Sequence, residues 1–246
     1  MNELVTIIPS RLASIRLPDK PLELINNKEM ILHVHDAAVK AGVGEVFVAT
    51  PDEKIKEVIK NANGNVIKTQ GDHQTGTDRI YEIFDKTLNK KPKFIINLQG
   101  DMPNINSNDI KNLAIYIKKK FCDIATLGSE LLEKKEMNNK NVVKVSTVEN
   151  IKNKGFSQVK DFFRLNSETE KNFVYHHIGI YAFTSDSLIN YVSLKRSNLE
   201  LKRNLEQMRA LENGMKIDVG FVKSPPLSVD TKEDLIQIKK MMEKND

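Results

Sequence analysis

Residues 93–103 read KFIINLQGDMP, and their reading decides the fold. Phe94–Ile96 form an unbroken apolar run, the pattern of a strand buried on both faces. The run ends in Gln99, Gly100, Asp101 and Pro103. A turn accounts for the glycine and the proline. It does not account for an amide and a carboxylate at a strand's exit, where open α/β sheets place their ligands.

Outward from this stretch the chain alternates. Short apolar runs lie at 4–9, 45–50, 65–69 and 93–98. Between them lie helical patterns at 30–41 (stopped by Gly42 and Gly44), 51–62, about 78–88 and 107–120 (capped by Ser107). This rhythm predicts a Rossmann-like α/β fold: a mostly parallel, twisted sheet with helices on both faces. After residue 120 the rhythm breaks. Strands are expected at 123–131, 141–148, 155–159 and 178–183, in a smaller antiparallel portion within residues 124–200. One continuous helix, ended by Gly214, is expected over 201–214. A strand follows at 216–222, then a last helix capped by Asp230 or Thr231. No linker, repeat or low-complexity segment interrupts residues 1–246, so a single domain is expected.

Composition narrows the class. The chain has 246 residues, 39% apolar and 29% charged, as in ordinary globular proteins. No stretch approaches the roughly 18 apolar residues of a membrane span. The start, MNELVTIIPSR, carries an acid where a secretion signal carries a base, so a cytoplasmic protein is expected. Cys122 is the only cysteine, which excludes an intramolecular disulfide and a cysteine zinc site. The net charge of +5 comes mostly from lysines spread over helical faces, with no aromatic-rich motif beside them. Neither a nucleic-acid nor a membrane partner is expected.

Three segments carry more than packing requires. The loop after the first strand, PSRLASIRLPDKPL (9–22), gathers Arg11, Arg16 and Lys20 with Ser10 and Ser14, an anion pocket suited to phosphates. It has neither glycine nor the Gly-Lys-Ser/Thr ending of a Walker loop. The second, GDHQTGTDR (71–79), offers Gly76 for close approach to a base or ribose, and His73 or Arg79 for a phosphate. The third is the exit at Asp101, whose carboxylate near a phosphate pocket suggests Mg²⁺. Asp230, also just beyond a strand, is its possible partner or else a helix cap.

Together, IIPSRLASIRLPDKPL (7–22), DHQTGTDR (72–79), NLQGDMP (97–103), YHHIGIYAF (175–183), LEQMRALENGMKID (205–218) and SVDTKEDL (228–235) resemble the 3-deoxy-manno-octulosonate (KDO) cytidylyltransferases, also called CMP-KDO synthetases. The resemblance runs from residue 5 to about residue 235. Related CMP-sialate synthetases have a phosphate loop richer in Gly and Lys. The resemblance implies transfer of CMP from CTP to the anomeric hydroxyl of the sugar acid, with release of pyrophosphate, Mg²⁺ as cofactor and a homodimer as the assembly. The product would serve lipopolysaccharide synthesis; a modified KDO or a nonulosonic acid is the alternative acceptor.

Residue by residue, the resemblance implies that Ser10, Arg11, Ser14 and Lys20 bind the triphosphate. His73, Thr75, Gly76, Arg79 and Gln99 would contact the nucleotide, and Asp101 and Asp230 the metal. Arg11, Lys20 and Asp101 would be catalytic. Gln99, His177, Tyr181, Glu206 and Gln207 would surround the sugar acid. His177 and Tyr181 are four apart on one strand, hence on one face. One departure stands out. Where the family carries an aromatic-Ser/Thr-Arg segment followed by Pro-Trp, this chain has Phe156-Ser157-Gln158 and no tryptophan. Arg164, or a cation within 194–204, is expected to supply the missing charge.

Overall fold

The computed structural model describes residues 3–14, 16–70, 73–87, 91–119, 121–131, 134–165 and 173–243. The chain divides into two compact units, 1–112 with 226–246, and 113–225.

The first unit begins with β1 (Leu4–Pro9), a small hairpin of β2 (Leu24–Ile25) and β3 (Lys28–Glu29), and α1 (Met30–Ala41). It continues through β4 (Glu45–Thr50), α2 (Glu53–Asn61), β5 (Asn65–Lys68), α3 (Gly76–Glu82), β6 (Phe94–Leu98) and the start of α4 (Ser107–Lys118). The strands run parallel in the order β5-β4-β1-β6, with Val5 opposite Glu45 and Leu4 opposite Phe94. Every residue of β1 and β6 is buried, so both faces are covered, as their unbroken apolar runs predict. From β1 the chain steps one way to β4 and later returns on the other side as β6. The C-terminal ends of β1 and β6 therefore flank a reversal of strand order, where such sheets open a ligand crevice. The loops 10–22 and 99–103 leave from those two ends.

The second unit holds β7 (Ile124–Ser129), α5 (Lys134–Met137), β8 (Lys144–Thr147), α6 (Ile151–Lys154), β9 (Phe156–Phe163), β10 (Val174–Thr184), α7 (Ser185–Ser193), α8 (Asn198–Arg203), α9 (Met208–Glu212) and β11 (Ile217–Val222). Its order is β10-β7-β11-β9-β8, and β8 also pairs with β10, so the ladder returns on itself. All pairings are antiparallel except β7 with β11. The antiparallel portion lies where the sequence places it but is larger than expected, because β11 is built into it.

The sequence reading did not expect α5, α6 and α7, and two of the helices it did expect take a different form. The helix expected over 201–214 is split into α8 and α9, because Asn204 adopts a left-handed conformation (φ 53°, ψ 50°). Glu206 and Gln207 therefore lie at an elbow rather than mid-helix. The helix after the 71–79 loop starts two residues earlier than expected and widens into a π-helical turn at Ile83–Thr87.

The chain returns to the first unit with α10 (Lys232–Glu243). Its Leu235 and Ile238 pack with Val229, Ile25, Met30 and Leu17. Leu17 lies midway along loop 9–22 and is 2% exposed. Burying it contributes about 2 kcal/mol and ties the loop to α10. Among the described residues, no helix is long and apolar enough to cross a membrane.

Candidate active site

Beyond Leu17, Asp19 takes a left-handed conformation (φ 52°), which a short polar side chain tolerates, and a 3-10 turn follows at Lys20–Leu22. This turn delivers the Lys20 ammonium between two carboxylates, 3.0 Å from Asp101 Oδ2 and 3.2 Å from Asp230 Oδ1. The other oxygen of Asp230 meets Arg16 Nη2 at 3.0 Å. Burial alone would lower the lysine's pKa, but the two carboxylates outweigh it and hold the ammonium above its ordinary value. Three segments far apart in sequence thus meet on one cation.

Asp101 is set by the tight exit from β6. A Cβ on Gly100 would lie 3.1 Å from Ile31 Cδ1 and 3.4 Å from the Pro9 carbonyl, so glycine lets the turn rest closely against β1 without displacing Ile31. The Asp101 carbonyl accepts the Val229 N–H at 2.9 Å, and Asn104 Oδ1 accepts Leu227 N–H at 2.9 Å. These two bonds hold the segment that carries Asp230. The cap of α10 is Thr231, whose Oγ1 accepts Asp234 N–H at 3.2 Å. With the cap supplied by its neighbour, the Asp230 carboxylate remains on Lys20 and Arg16.

Loop 9–22 has a second anchor that the sequence reading missed. Asp52 stands at the N-cap of α2 but caps nothing there; its Oδ2 accepts the Leu12 N–H at 2.9 Å. Its only signal in sequence was its place at a helix start. Arg11 is exposed, and Ser14 donates its N–H to Leu12 O at 2.7 Å. Ser10 Oγ is buried without a hydrogen-bond partner among the described residues.

In the segment 73–79, Thr75 caps α3 by accepting Asp78 N–H. His73 Nε2 lies 2.6 Å from Glu82 Oε2, and Glu82 also accepts Gln70 N–H. Burial alone would raise the Glu82 pKa; the Gln70 and His73 bonds outweigh it and hold the carboxyl below its usual range. Arg79 is 4% exposed and donates to Thr69 Oγ1. A Cβ on Gly76 would meet the Gln99 amide and Pro9 at 3.4 Å. The Gln99 side chain is oriented by Asn97, to which it donates at 3.1 Å. Gly71 and Asp72 lie outside the described residues.

In the second unit, β10 carries a bulge: its register with β7 passes from Ile178 opposite Leu127 to Tyr181 opposite Thr126. Bulges re-aim side chains, and this one is held by Thr126 Oγ1, 2.7 Å from Ile180 O and 3.0 Å from His177 Nε2. One hydroxyl has one proton to give, so Thr126 donates to the carbonyl and His177 donates Nε2–H to Thr126. Burial, with a smaller contribution from His176, lowers the His177 pKa to about 3, so the imidazole is neutral. The rings of His177 and Tyr181 lie 5.6 Å apart, sharing a face as expected. Burial and the nearby Glu206 carboxylate push the Tyr181 hydroxyl well above its ordinary pKa. Gln207 is 5% exposed.

Gln158 is exposed and pairs with Asp218, while its neighbour Ser157 pairs with Val219, which in turn stands opposite Thr126. Laterally paired residues share a face. Gln158 therefore projects from the face opposite to Thr126, His177 and Tyr181. Of the cations expected to compensate, Arg164 meets the carbonyls of Lys140 and Asn141, Arg203 pairs with Asp161 and Arg196 with Glu200, while Lys195 and Lys202 are exposed.

Two carboxylates and a lysine, gathered from the exit of β6, the loop after β1 and the segment before α10, suit phosphate and divalent-cation chemistry. Asp101 and Asp230 already share a cation, and all their donors are hard oxygens, so they fit Mg²⁺ completed by phosphate oxygens and water. No group of three or more His, Cys, Asp or Glu side chains among the described residues offers a metal site built from protein alone.

Comparison with known proteins shows the family. The cytidylyltransferase family model matches residues 5–217. The 3-deoxy-manno-octulosonate cytidylyltransferase of Bartonella tribocorum is 40% identical over 242 residues, 98% of each chain. That of Brucella ovis is 41% identical over 232 residues, covering 94% of this chain and 92% of the relative. The solved structure of a CMP:2-keto-3-deoxy-manno-octonic acid synthetase complexed with CTP superposes with a TM-score of 0.88 at 33% identity, covering 98% of this chain and 99% of that one. A nucleotidyl transferase from Methanothermobacter, at 14% identity and a TM-score of 0.67, shares the fold. The chain belongs to the cytidylyltransferase family, alongside the 3-deoxy-manno-octulosonate cytidylyltransferases.

Proposed function

We propose that the protein transfers CMP from CTP to the anomeric hydroxyl of 3-deoxy-manno-octulosonate, releasing pyrophosphate. The observation that carries this reading is the meeting of Lys20, Asp101 and Asp230, in a chain about 40% identical to enzymes of that name. The anomeric oxygen attacks the α-phosphorus of CTP. The new O–P bond forms as the bond to the β-phosphate bridging oxygen breaks, pyrophosphate carries that electron pair away, and the hydroxyl proton passes to water.

In this reading Lys20 and Arg11 face the triphosphate and stabilise charge on the departing pyrophosphate. Ser10 Oγ, buried and without a partner among the described residues, and Ser14 add hydrogen bonds to it. Thr75, Gly76 and Gln99 meet the nucleotide. His73 and Arg79, engaged with Glu82 and Thr69, order the 73–79 segment around it. Asp101 and Asp230 would hold Mg²⁺, which supplies charge neutralisation at the phosphates when bound. Gln99, neutral His177, Tyr181, Glu206 and Gln207 bind the sugar acid through hydrogen bonds. Because Gln158 projects from the opposite face, its difference from the family pattern gives no ground for another acceptor.

We also take residues 1–246 to act as one cytidylyltransferase domain, since the family model runs through both units. The protein is read as cytoplasmic, and as a homodimer assembled through the antiparallel portion. The test is pyrophosphate release from CTP and, in parallel, from ATP, GTP and UTP, each with Mg²⁺ and with or without the sugar acid. Release only from CTP and only with 3-deoxy-manno-octulosonate is expected. Equal release from another nucleotide, or with a nonulosonic acid in its place, would overturn the assignment.

A further inference from the structure

The elbow between α8 and α9 is held by a set of buried charges that the reaction itself does not use. Glu200 is 0% exposed. It sits at the third position of a capping box with Ser197, and its carboxylate gathers four donors. They are Ser197 N–H at 3.3 Å, Arg196 Nε at 2.9 Å, and Arg209 Nε and Nη2 at 2.9 and 2.8 Å. Arg209, 3% exposed, belongs to α9, while Glu200 belongs to α8. This one carboxylate therefore clamps the two helices on either side of the elbow.

Tyr191 of α7 completes the arrangement. Its ring lies under the Arg209 guanidinium, 4.7 Å from ring centroid to Cζ, and its hydroxyl donates to the Glu206 carbonyl at 2.9 Å. That bond fixes the backbone of the residue whose side chain approaches Tyr181. On the other side, Arg203 donates to the Phe162 carbonyl, and the Phe162 ring meets His177 edge-on at 5.0 Å. Buried ion pairs seldom stabilise more than well-packed apolar residues would, while a fully satisfied one fixes a single geometry. What is fixed here is the path of Leu205, Glu206 and Gln207.

We propose that Tyr191, Glu200 and Arg209 are positioning residues for the sugar acid, holding Glu206 and Gln207 in place. The proposal rests on the assignment of those two residues to the sugar. It predicts a selective effect: loss of a positioning group weakens the sugar acid and spares CTP, whose proposed contacts come from other segments.

The test compares Tyr191→Phe, Glu200→Gln and Glu206→Gln with the unaltered protein. KM for each substrate, kcat and the thermal unfolding midpoint are measured for all four. Tyr191→Phe keeps the ring and removes one neutral hydrogen bond, so KM for the sugar acid should rise about fivefold. KM for CTP should stay within about twofold, since the lost bond lies far from the phosphate contacts in sequence and in role. Glu200→Gln keeps the shape and removes the charge, and should raise the sugar KM by about tenfold or more with the same selectivity. If Glu206→Gln raises the sugar KM while Tyr191→Phe and Glu200→Gln lower only the unfolding midpoint, or raise both KM values alike, the positioning role is refuted and the assignment of Glu206 stands. If Glu206→Gln leaves the sugar KM unchanged, the assignment itself falls, and the proposal with it.

Discussion

His177 makes the acid side of the stability curve a direct probe of the second unit. Its folded pKa is about 3 against an ordinary 6.5, because the imidazole is buried, with a smaller contribution from the neighbouring His176. Between those values the unfolded chain binds a proton that the folded chain refuses. Stability from this group is therefore complete above about pH 6.5 and is lost progressively as the pH falls toward 3. Each pH unit in that window is worth about 1.4 kcal/mol, so acidifying from about pH 7.5 to about pH 5 should cost about 2 kcal/mol from His177 alone. The perturbation is His177→Gln, whose amide can still donate to Thr126 Oγ1 but has no proton to gain. Urea unfolding of both proteins at the two pH values gives four free energies. Other groups, His176 among them, remain in both proteins and largely cancel. The unaltered protein should lose about 2 kcal/mol more than the variant between the two pH values. Equal losses, within about 0.5 kcal/mol, would mean that the folded imidazole accepts a proton readily and that the buried, neutral His177 is wrong.

Three further outcomes follow from the first unit and from β11. Asp101→Asn keeps the backbone carbonyl that accepts Val229 N–H, so the unfolding midpoint should move by no more than about 3 °C. Turnover should nevertheless fall by at least about a thousandfold, read as pyrophosphate release. Asp52→Ala removes the acceptor of Leu12 N–H and should raise KM for CTP about fivefold, with little change for the sugar acid. Gly220→Ala puts a Cβ 2.4 Å from Phe156 ring atoms, and that ring is stacked on Tyr116 at 3.6 Å. It should cost about 1–3 kcal/mol of unfolding free energy, read by urea titration, without selectivity between substrates.

The parallel half of the fold was legible because its central strands, β1 and β6, are buried on both faces and its elements are punctuated by glycine, proline and caps. β1 and β6 fall where their apolar runs place them. The split between α8 and α9 was not legible, since 201–214 is rich in good helix formers and only Asn204 marks the break. Its cause is tertiary: Glu200, Arg209 and Tyr191 reward the bend. Lys20, Asp101 and Asp230 were each suspected at the exit of a strand or its loop, yet spacing alone left Asp230 as either cap or ligand. The neighbouring Thr231 takes the cap, a choice fixed by geometry at one residue. Asp52 was invisible because its partner is a backbone amide 40 residues away. The importance given to Gln158 came from its departure from the family pattern. Strand pairing places it on the other face, which no linear pattern could have shown.

The most direct test of the account is phosphorus NMR of CTP, Mg²⁺ and 3-deoxy-manno-octulosonate with a catalytic amount of the protein. The account predicts one new phosphodiester resonance, from CMP joined to the anomeric oxygen, growing in equal amount with pyrophosphate and absent with Asp101→Asn. CTP resonances that stay unchanged with the unaltered protein, or pyrophosphate that appears with free CMP and no phosphodiester, would contradict it.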